Sequence, residues 1–158
     1  MSDGILNLDK PRGPTSHDIV NRVRALTSIR RVGHAGTLDP MATGVLLVCI
    51  GRATRVSEYL MAGHKTYRAR VRLGTTTDTY DAEGEIVETS DPSKTSRREI
   101  EAALERFCGT IEQVPPMYSA VKHKGKPLYK YARIGKTVPR RSRKVRIYDI
   151  SMEGLRHE

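Results

Sequence analysis

One carboxylate lies in a short loop rich in Gly and Pro. Asp39 stands within Gly33-His34-Ala35-Gly36-Thr37-Leu38-Asp39-Pro40-Met41-Ala42-Thr43, and Gly44 follows. Loops presented by rigid elements carry much of protein chemistry, and a fixed carboxylate can act as a nucleophile or as a base. We therefore place the chemistry on Asp39. An Asp before Pro is also a common start of a turn, so the bare pair does not exclude a purely structural role.

Predicted regular elements stand on both sides of this loop. Residues 4–9 are predicted as a strand that ends at Lys10-Pro11-Arg12-Gly13-Pro14. Thr15 and Asp18 have the spacing of a helix start. Five residues of that helix recur at helical spacing: Ile19, Val20, Val23, Leu26 and Thr27. The apolar run 45–50 is predicted as the strand that follows the loop.

The middle of the chain predicts further elements. Residues 52–62 are predicted as a helix ended by Gly63, and residues 66–73 alternate like a half-buried strand with a basic outer face. Tyr67 falls on the apolar face of that strand. Residues 74–84 are predicted as a polar loop and residues 85–89 as another strand.

A third helix is predicted from a capping box at Ser96 and Glu99 and ends at Gly109. Its expected core face is formed by Ile100, Ala103, Leu104 and Phe107.

The charge balance is the strongest signal in the composition. The 158 residues include 28 Lys and Arg against 18 Asp and Glu, which gives a formal net charge of +10. Such a surface attracts polyanions, and nucleic acid is the commonest of them. A solvated basic surface and an anionic membrane remain as alternatives.

The basic residues concentrate in the segment 122–146, which contains no acidic residue. Tyrosines interleave with the charges, a composition that can stack on unpaired bases while Lys and Arg hold phosphates. The same segment is predicted to contain a short helix at 127–134 and a late strand around Val145 and Ile147. A solvated tail is the alternative interpretation. The residues that we expect to contact RNA here are Lys122, Lys124, Lys126 and Arg133.

Other classes of protein find no support in the sequence. Cys49 and Cys108 lack motif spacing and are interpreted as buried, reduced residues of a cytoplasmic protein. The longest apolar run, 45–50, is far shorter than the roughly 20 residues that cross a bilayer, so no membrane contact is expected. Five scattered histidines give no metal site. We find no phosphate-binding glycine motif, internal repeat or second domain.

The Asp39 loop resembles the catalytic motif of the TruB family of pseudouridine synthases. Similar motifs follow the family order along nearly the whole chain: Leu8-Asp9-Lys10-Pro11-x-Gly13-x-Thr15-Ser16, Lys65-Thr66-Tyr67, Arg72-Leu73-Gly74-x-x-Thr77-Asp78-Thr79-x-Asp81-Ala82-Glu83-Gly84, and Pro115-Pro116-Met117-Tyr118-Ser119-Ala120-Val121-Lys122 with Gly125-Lys126-x-Leu128-Tyr129-x-x-Ala132-Arg133-x-Gly135. The resemblance implies an α+β fold with a central, mostly antiparallel mixed sheet flanked by helices.

The resemblance also implies an activity. It implies an enzyme that isomerises uridine 55 in the T-loop of tRNA to pseudouridine and works without cofactor or metal. We expect the protein to be a monomer. Asp39 matches the essential aspartate, Tyr67 the tyrosine that stacks on the target base, and His34 a histidine near the flipped nucleotide. Lys10 is a candidate phosphate contact.

One family feature is missing. The later strand with a Gly-Thr-Tyr-Ile-Arg-like stretch, whose Arg pairs with the aspartate, does not occur before the chain ends at Glu158. We therefore interpret residues 1–158 as the N-terminal portion of a catalytic domain, without the family's C-terminal RNA-binding domain, and expect this chain alone to be weak or inactive. The alternatives are a non-catalytic RNA-binding module and a guide-RNA-dependent synthase subunit.

Overall fold

The computed structural model describes residues 3–156. The contacts divide the chain into two units, the first ending at Ala69 and the second beginning at Arg70. Both contain helices and antiparallel strands, which confirms the predicted α+β class. The described strands form four separate small sheets, and every pair within them is antiparallel.

The first unit is built on a three-stranded sheet. Its elements are β1 (Gly4–Lys10), α1 (Ser16–Thr27), β2 (Val32–His34), β3 (Gly44–Ile50), a 3-10 helix (Gly51–Val56) and α2 (Ser57–Ala62). The strand order is β1-β3-β2, so the central strand is the apolar run that the sequence predicts. The helix predicted over 52–62 therefore begins as a 3-10 segment and becomes an α-helix from Ser57.

The core of the first unit lies between α1 and this sheet. Val20 and Val23 of α1 are buried together with Val32 of β2 and with Leu46 and Val48 of β3. The helical spacing therefore identifies the packed face of α1 correctly.

Two expected members of that helix face, Leu26 and Thr27, are exposed. Leu26 is 79% exposed, because it lies in the last turn of α1, and the adjoining cluster is closed instead by the half-buried Ile19 and Ile29.

Helix α1 begins at a complete capping box. The Thr15 hydroxyl accepts a hydrogen bond from the Asp18 amide at 3.1 Å, and Asp18 accepts from the Thr15 amide at 2.8 Å. Hydrogen bonds from the Thr15 hydroxyl and amide hold the pKa of Asp18 below its usual value. The predicted helix start is confirmed.

The predicted strand over 66–73 is wrong. Residues 64–72 have no regular secondary structure, and no strand in the described part of the chain pairs with them. Alternating side chains form a half-buried strand only when a neighbouring strand satisfies the backbone and covers one face. Here Tyr67 is 69% exposed and Val71 is 76% exposed.

The second unit contains three two-stranded sheets and two helices. Its elements are β4 (Thr75–Thr77), β5 (Ile86–Thr89), α3 (Arg97–Glu105), β6 (Gly109–Gln113), β7 (Lys122–His123), β8 (Lys126–Pro127), α4 (Leu128–Ala132) and β9 (Arg143–Ile147). The pairs are β4 with β5, β6 with β9 and β7 with β8. The predicted loop 74–84 thus contains a strand, β4, because Thr75–Thr77 pairs with the predicted strand β5.

Burial in the second unit differs from the prediction. Ser96 and Glu99 form the expected capping box of α3, but Phe107 is 51% exposed and Ala103 is exposed as well. Cys108 is exposed, whereas Cys49 is buried in β3 as expected. An apolar face is buried only where another element covers it, and a sequence pattern does not supply that element.

Candidate active site

The Asp39 loop joins β2 to β3 at the end of the first sheet. The Ala35 amide donates to the Leu47 carbonyl at 2.8 Å and so extends the pairing of the two strands into the loop. The Ala42 amide donates to the Asp39 carbonyl at 3.0 Å and closes a turn around Pro40. The Asp39 side chain itself is exposed, so its carboxylate is open to a ligand.

Two glycines give the loop its path. Gly36 and Gly44 have φ values of 119° and 120°, a conformation that residues with a Cβ atom rarely adopt. They lie on either side of Asp39, where the chain leaves β2 and where it enters β3. Two of the glycines that mark this loop in the sequence are therefore needed for its backbone conformation.

Lys10 is buried under the loop. Its side chain is 0% exposed, and Nζ donates hydrogen bonds to the carbonyls of Pro11 and Pro14 at 2.9 Å and of Pro40 at 3.3 Å. An ammonium with three carbonyl acceptors has used all its donors. The predicted phosphate contact of Lys10 does not fit this position, because a buried and fully bonded ammonium cannot reach RNA.

Ser16 holds the other side of the loop. Its hydroxyl accepts a hydrogen bond from the Leu38 amide at 2.9 Å and donates one to the Leu38 carbonyl at 3.1 Å. The Gly13 amide also donates to the Pro40 carbonyl at 2.8 Å. The residues immediately before and after Asp39 are therefore both bonded to the segment that runs from Lys10, at the end of β1, to Ser16, at the start of α1.

Sequence reasoning missed this framework. It assigned no tertiary contact to Ser16, and it treated Lys10 as a candidate phosphate contact. The hydrogen bond from Ser16 to Leu38 spans 22 positions and the one from Lys10 to Pro40 spans 30. The proximity of the two motifs was not visible in local spacing.

His34 ends β2 and is half-buried. Its Nδ1 donates a hydrogen bond to the Gly36 carbonyl, which fixes the ring against the start of the loop. With the proton on Nδ1, Nε2 of a neutral ring is an acceptor. The structure thus places His34 in the same loop framework as Asp39.

Tyr67 is not joined to that framework. Its ring is 69% exposed, and no hydrogen bond or ring contact within residues 3–156 links it to the Asp39 loop. An exposed tyrosine presents its face to solvent, where a nucleobase can stack on it.

The predicted RNA-contacting lysines of the second unit lie on a tight hairpin. Lys122 pairs with Pro127 and His123 with Lys126, so Lys122 and Lys126 lie on opposite faces. Lys124 and Gly125 form the turn, with φ values of 48° and 81°. The side chains of the three lysines therefore leave the hairpin in different directions.

The aromatic residues beside the hairpin are in contact with cations. Lys126 Nζ lies 4.8 Å from the centre of the Tyr131 ring, and Arg133 lies 5.2 Å from that of Tyr129. His123 packs edge-on against Tyr131, with ring centres 5.9 Å apart. The interleaving of tyrosine and basic residues in the sequence thus forms defined cation–π pairs.

Ion pairs at Asp39, metal-binding clusters and membrane-spanning helices are all absent from the described residues. No ion pair among residues 3–156 involves the Asp39 carboxylate. The described chain contains no group of three or more His, Cys, Asp or Glu residues that could hold a metal ion. No helix between residues 3 and 156 is long and apolar enough to span a membrane.

Comparison with known proteins identifies relatives over most of the chain. Residues 24–158 match the family model described as TruB family pseudouridylate synthase (N terminal domain). The chain is 51% identical over 150 residues to tRNA pseudouridine synthase B of Syntrophotalea carbinolica and 53% identical to that of Chromohalobacter salexigens. Each alignment covers 95% of this chain and 49% of the relative, so the chain spans about half the length of these proteins.

A solved structure is also similar. A chain in the crystal structure of a Cbf5-Nop10-Gar1 complex aligns with a TM-score of 0.57 and 28% identity. The alignment covers 96% of this chain and 36% of the other.

Proposed function

We propose that this chain, which belongs to the TruB family of pseudouridylate synthases, converts uridine in the T-arm of tRNA, at position 55, to pseudouridine. We further propose that it acts as a monomer, without cofactor or metal. The relatives that share 51% and 53% identity are named tRNA pseudouridine synthases, whereas the chain of the Cbf5 complex shares 28%. The names of the more similar relatives favour a tRNA substrate over the guide-dependent alternative.

The reaction is an isomerisation, so no atom is lost overall. The bond from N1 of uracil to C1′ of ribose breaks, the base turns, and C5 bonds to C1′. C5 then loses its proton to solvent and N1 gains one. The nucleotide must leave the folded loop for this to happen. The Asp39 carboxylate either adds to C1′ as a nucleophile or acts as a base on the sugar.

The observation that carries this proposal is the placement of Asp39. Its carboxylate is exposed while its neighbours Leu38 and Pro40 are held by hydrogen bonds from Ser16, Lys10 and Gly13. A fixed backbone with an open side chain is the arrangement that positioned catalysis needs. His34 is proposed to fill the space that the flipped nucleotide leaves, and the exposed ring of Tyr67 is proposed to stack on its base.

The test follows the proton that leaves C5. Two T-arm RNAs of one sequence carry tritium at C5 of a single uridine, either at position 55 or at a stem position. Both are incubated with this chain and with the longest form that its gene encodes. We expect tritium to be released from the first RNA only, whether this chain alone or only the longer form is active. Equal release from both RNAs, or none from either with both proteins, would contradict the proposal.

A further inference from the structure

We propose that Ser16 is a positioning residue that sets the aim of the Asp39 carboxylate through the backbone of Leu38. The inference deepens the proposed function and rests on it. Ser16 does not touch the substrate in this account. It acts by fixing the peptide groups that precede the reacting side chain.

The geometry of the contact is specific. The Ser16 side chain is 2% exposed, and its single hydroxyl both accepts from the Leu38 amide and donates to the Leu38 carbonyl, at 2.9 and 3.1 Å. The hydroxyl thus does for Leu38 what a neighbouring strand would do, satisfying both of its backbone polar groups. Loss of the hydroxyl would leave both groups without their partner in a part-buried place.

A simpler explanation for a serine here is helix capping, and the structure argues against it. Thr15 is the N-cap residue of α1, and the capping box is completed by Asp18. Ser16 is already the first residue of the helix, and its side chain turns to the loop instead. Alanine is favourable at a helical position, so Ser16→Ala removes the contact to Leu38 without weakening α1.

Leu38 transmits the constraint to Asp39. Its side chain packs against the core cluster of the first unit, and Ser16 fixes its backbone. On the other side of Asp39, the Pro40 carbonyl is held by the Gly13 amide. The backbone can then rotate only about the bonds between Leu38 and Pro40. Without Ser16 the carboxylate would sample several positions, and a misplacement of about 1 Å can lower a rate about 100-fold.

The experiment compares Ser16→Ala with a matched control, Ser57→Ala. Ser57 also stands at the first position of a helix, and its hydroxyl donates to the Thr54 carbonyl at 2.9 Å, outside the Asp39 loop. We expect Ser16→Ala to lower kcat roughly 10- to 100-fold with little change in KM. Hydrogen exchange of the Leu38 amide should become faster in the same variant. Ser57→Ala should change neither quantity.

Each other outcome contradicts the inference. Unchanged exchange of the Leu38 amide would show that Ser16 does not hold it. Faster exchange with a parental kcat, or a raised KM with a parental kcat, would show that the contact does not aim the carboxylate. If Ser16→Ala fails to fold, Ser16→Cys retains the volume, weakens both hydrogen bonds, and is subject to the same criteria. A parental turnover in Asp39→Asn would instead remove the proposed role of Asp39, and the Ser16 inference with it.

Discussion

The buried ammonium of Lys10 donates a hydrogen bond to the carbonyl of Pro40, and Pro40 directly follows the exposed Asp39. The same ammonium bonds the carbonyls of Pro11 and Pro14, so one charge joins the turn after β1 to the loop before β3. The Lys10 ammonium thus stabilises the Asp39 loop and is not available to bind RNA.

Lys10→Met should therefore destabilise the protein without weakening its electrostatic attraction to RNA. Three part-buried hydrogen bonds from a charged donor are lost, and each such bond contributes about 1.5–3 kcal/mol, although the Pro40 carbonyl keeps its bond from the Gly13 amide. The measurement is the free energy of unfolding together with the salt dependence of RNA affinity. A salt slope reduced by about one unit, with parental stability, would instead support the phosphate contact predicted from the sequence.

Two leucines provide a matched test of the core. Leu46 is 1% exposed in β3 and Leu26 is 79% exposed in α1. Leu46→Ala should lower the free energy of unfolding by about 2–5 kcal/mol because it opens a cavity in the core. Leu26→Ala should change it by less than about 0.5 kcal/mol. Similar losses in thermal or denaturant unfolding would mean that the apolar face of α1 is packed differently.

The two thiols should differ strongly in reactivity. Cys49 is fully buried, and burial raises the pKa of its thiol, whereas Cys108 is exposed. Because the thiolate is the reactive form, iodoacetamide at pH 8 should modify Cys108 and spare Cys49 in the folded protein. Raising the pH through the usual range of a thiol should leave Cys49 unmodified. Rapid labelling of a Cys108→Ser variant would contradict the buried position of Cys49.

The hairpin lysines should contribute unequally to RNA binding. Lys126 lies on the face with Tyr131, where a charge can hold a phosphate beside a stacking ring, and Lys122 lies on the opposite face. Lys126→Gln should lower the slope of log affinity against log salt by roughly 0.7–0.9, the effect of one phosphate contact.

Lys122→Gln is the matched control, because it removes the same charge from the other face. Its slope should remain close to the parental value. Equal slopes for the two variants would show that the face of the hairpin does not matter. A variant that also removes the charge of Lys124 should carry Asn at that position, because Asn tolerates the positive φ of the turn.

Local signals in the sequence predicted local structure well. The capping boxes at Thr15 and Ser96 were confirmed because a helix start is determined by residues three apart. The strand β3 followed from an apolar run next to Gly44. The family resemblance pointed to Asp39, and the structure adds the hydrogen bonds that hold its neighbours.

Features that depend on residues far away in the sequence could not be predicted from local sequence patterns. The alternation around Tyr67 did not produce a strand, because no described strand pairs with it. Phe107 and Cys108 were expected inside and are exposed. Helix α3 ends at Glu105, before both residues, so its helical pattern did not determine their surroundings. Lys10 was expected outside and is buried, because three carbonyls that satisfy its charge meet only in the folded chain.

The most direct test of the account is Asp39→Asn in the tritium-release assay with the RNA labelled at position 55. The substitution retains the size and the backbone contacts of the residue and removes the carboxylate on which the chemistry depends. We expect turnover below about 1% of the parental protein with RNA affinity unchanged, because Asp39 does not bind phosphates. Turnover near the parental rate would contradict the role of Asp39 as nucleophile or base.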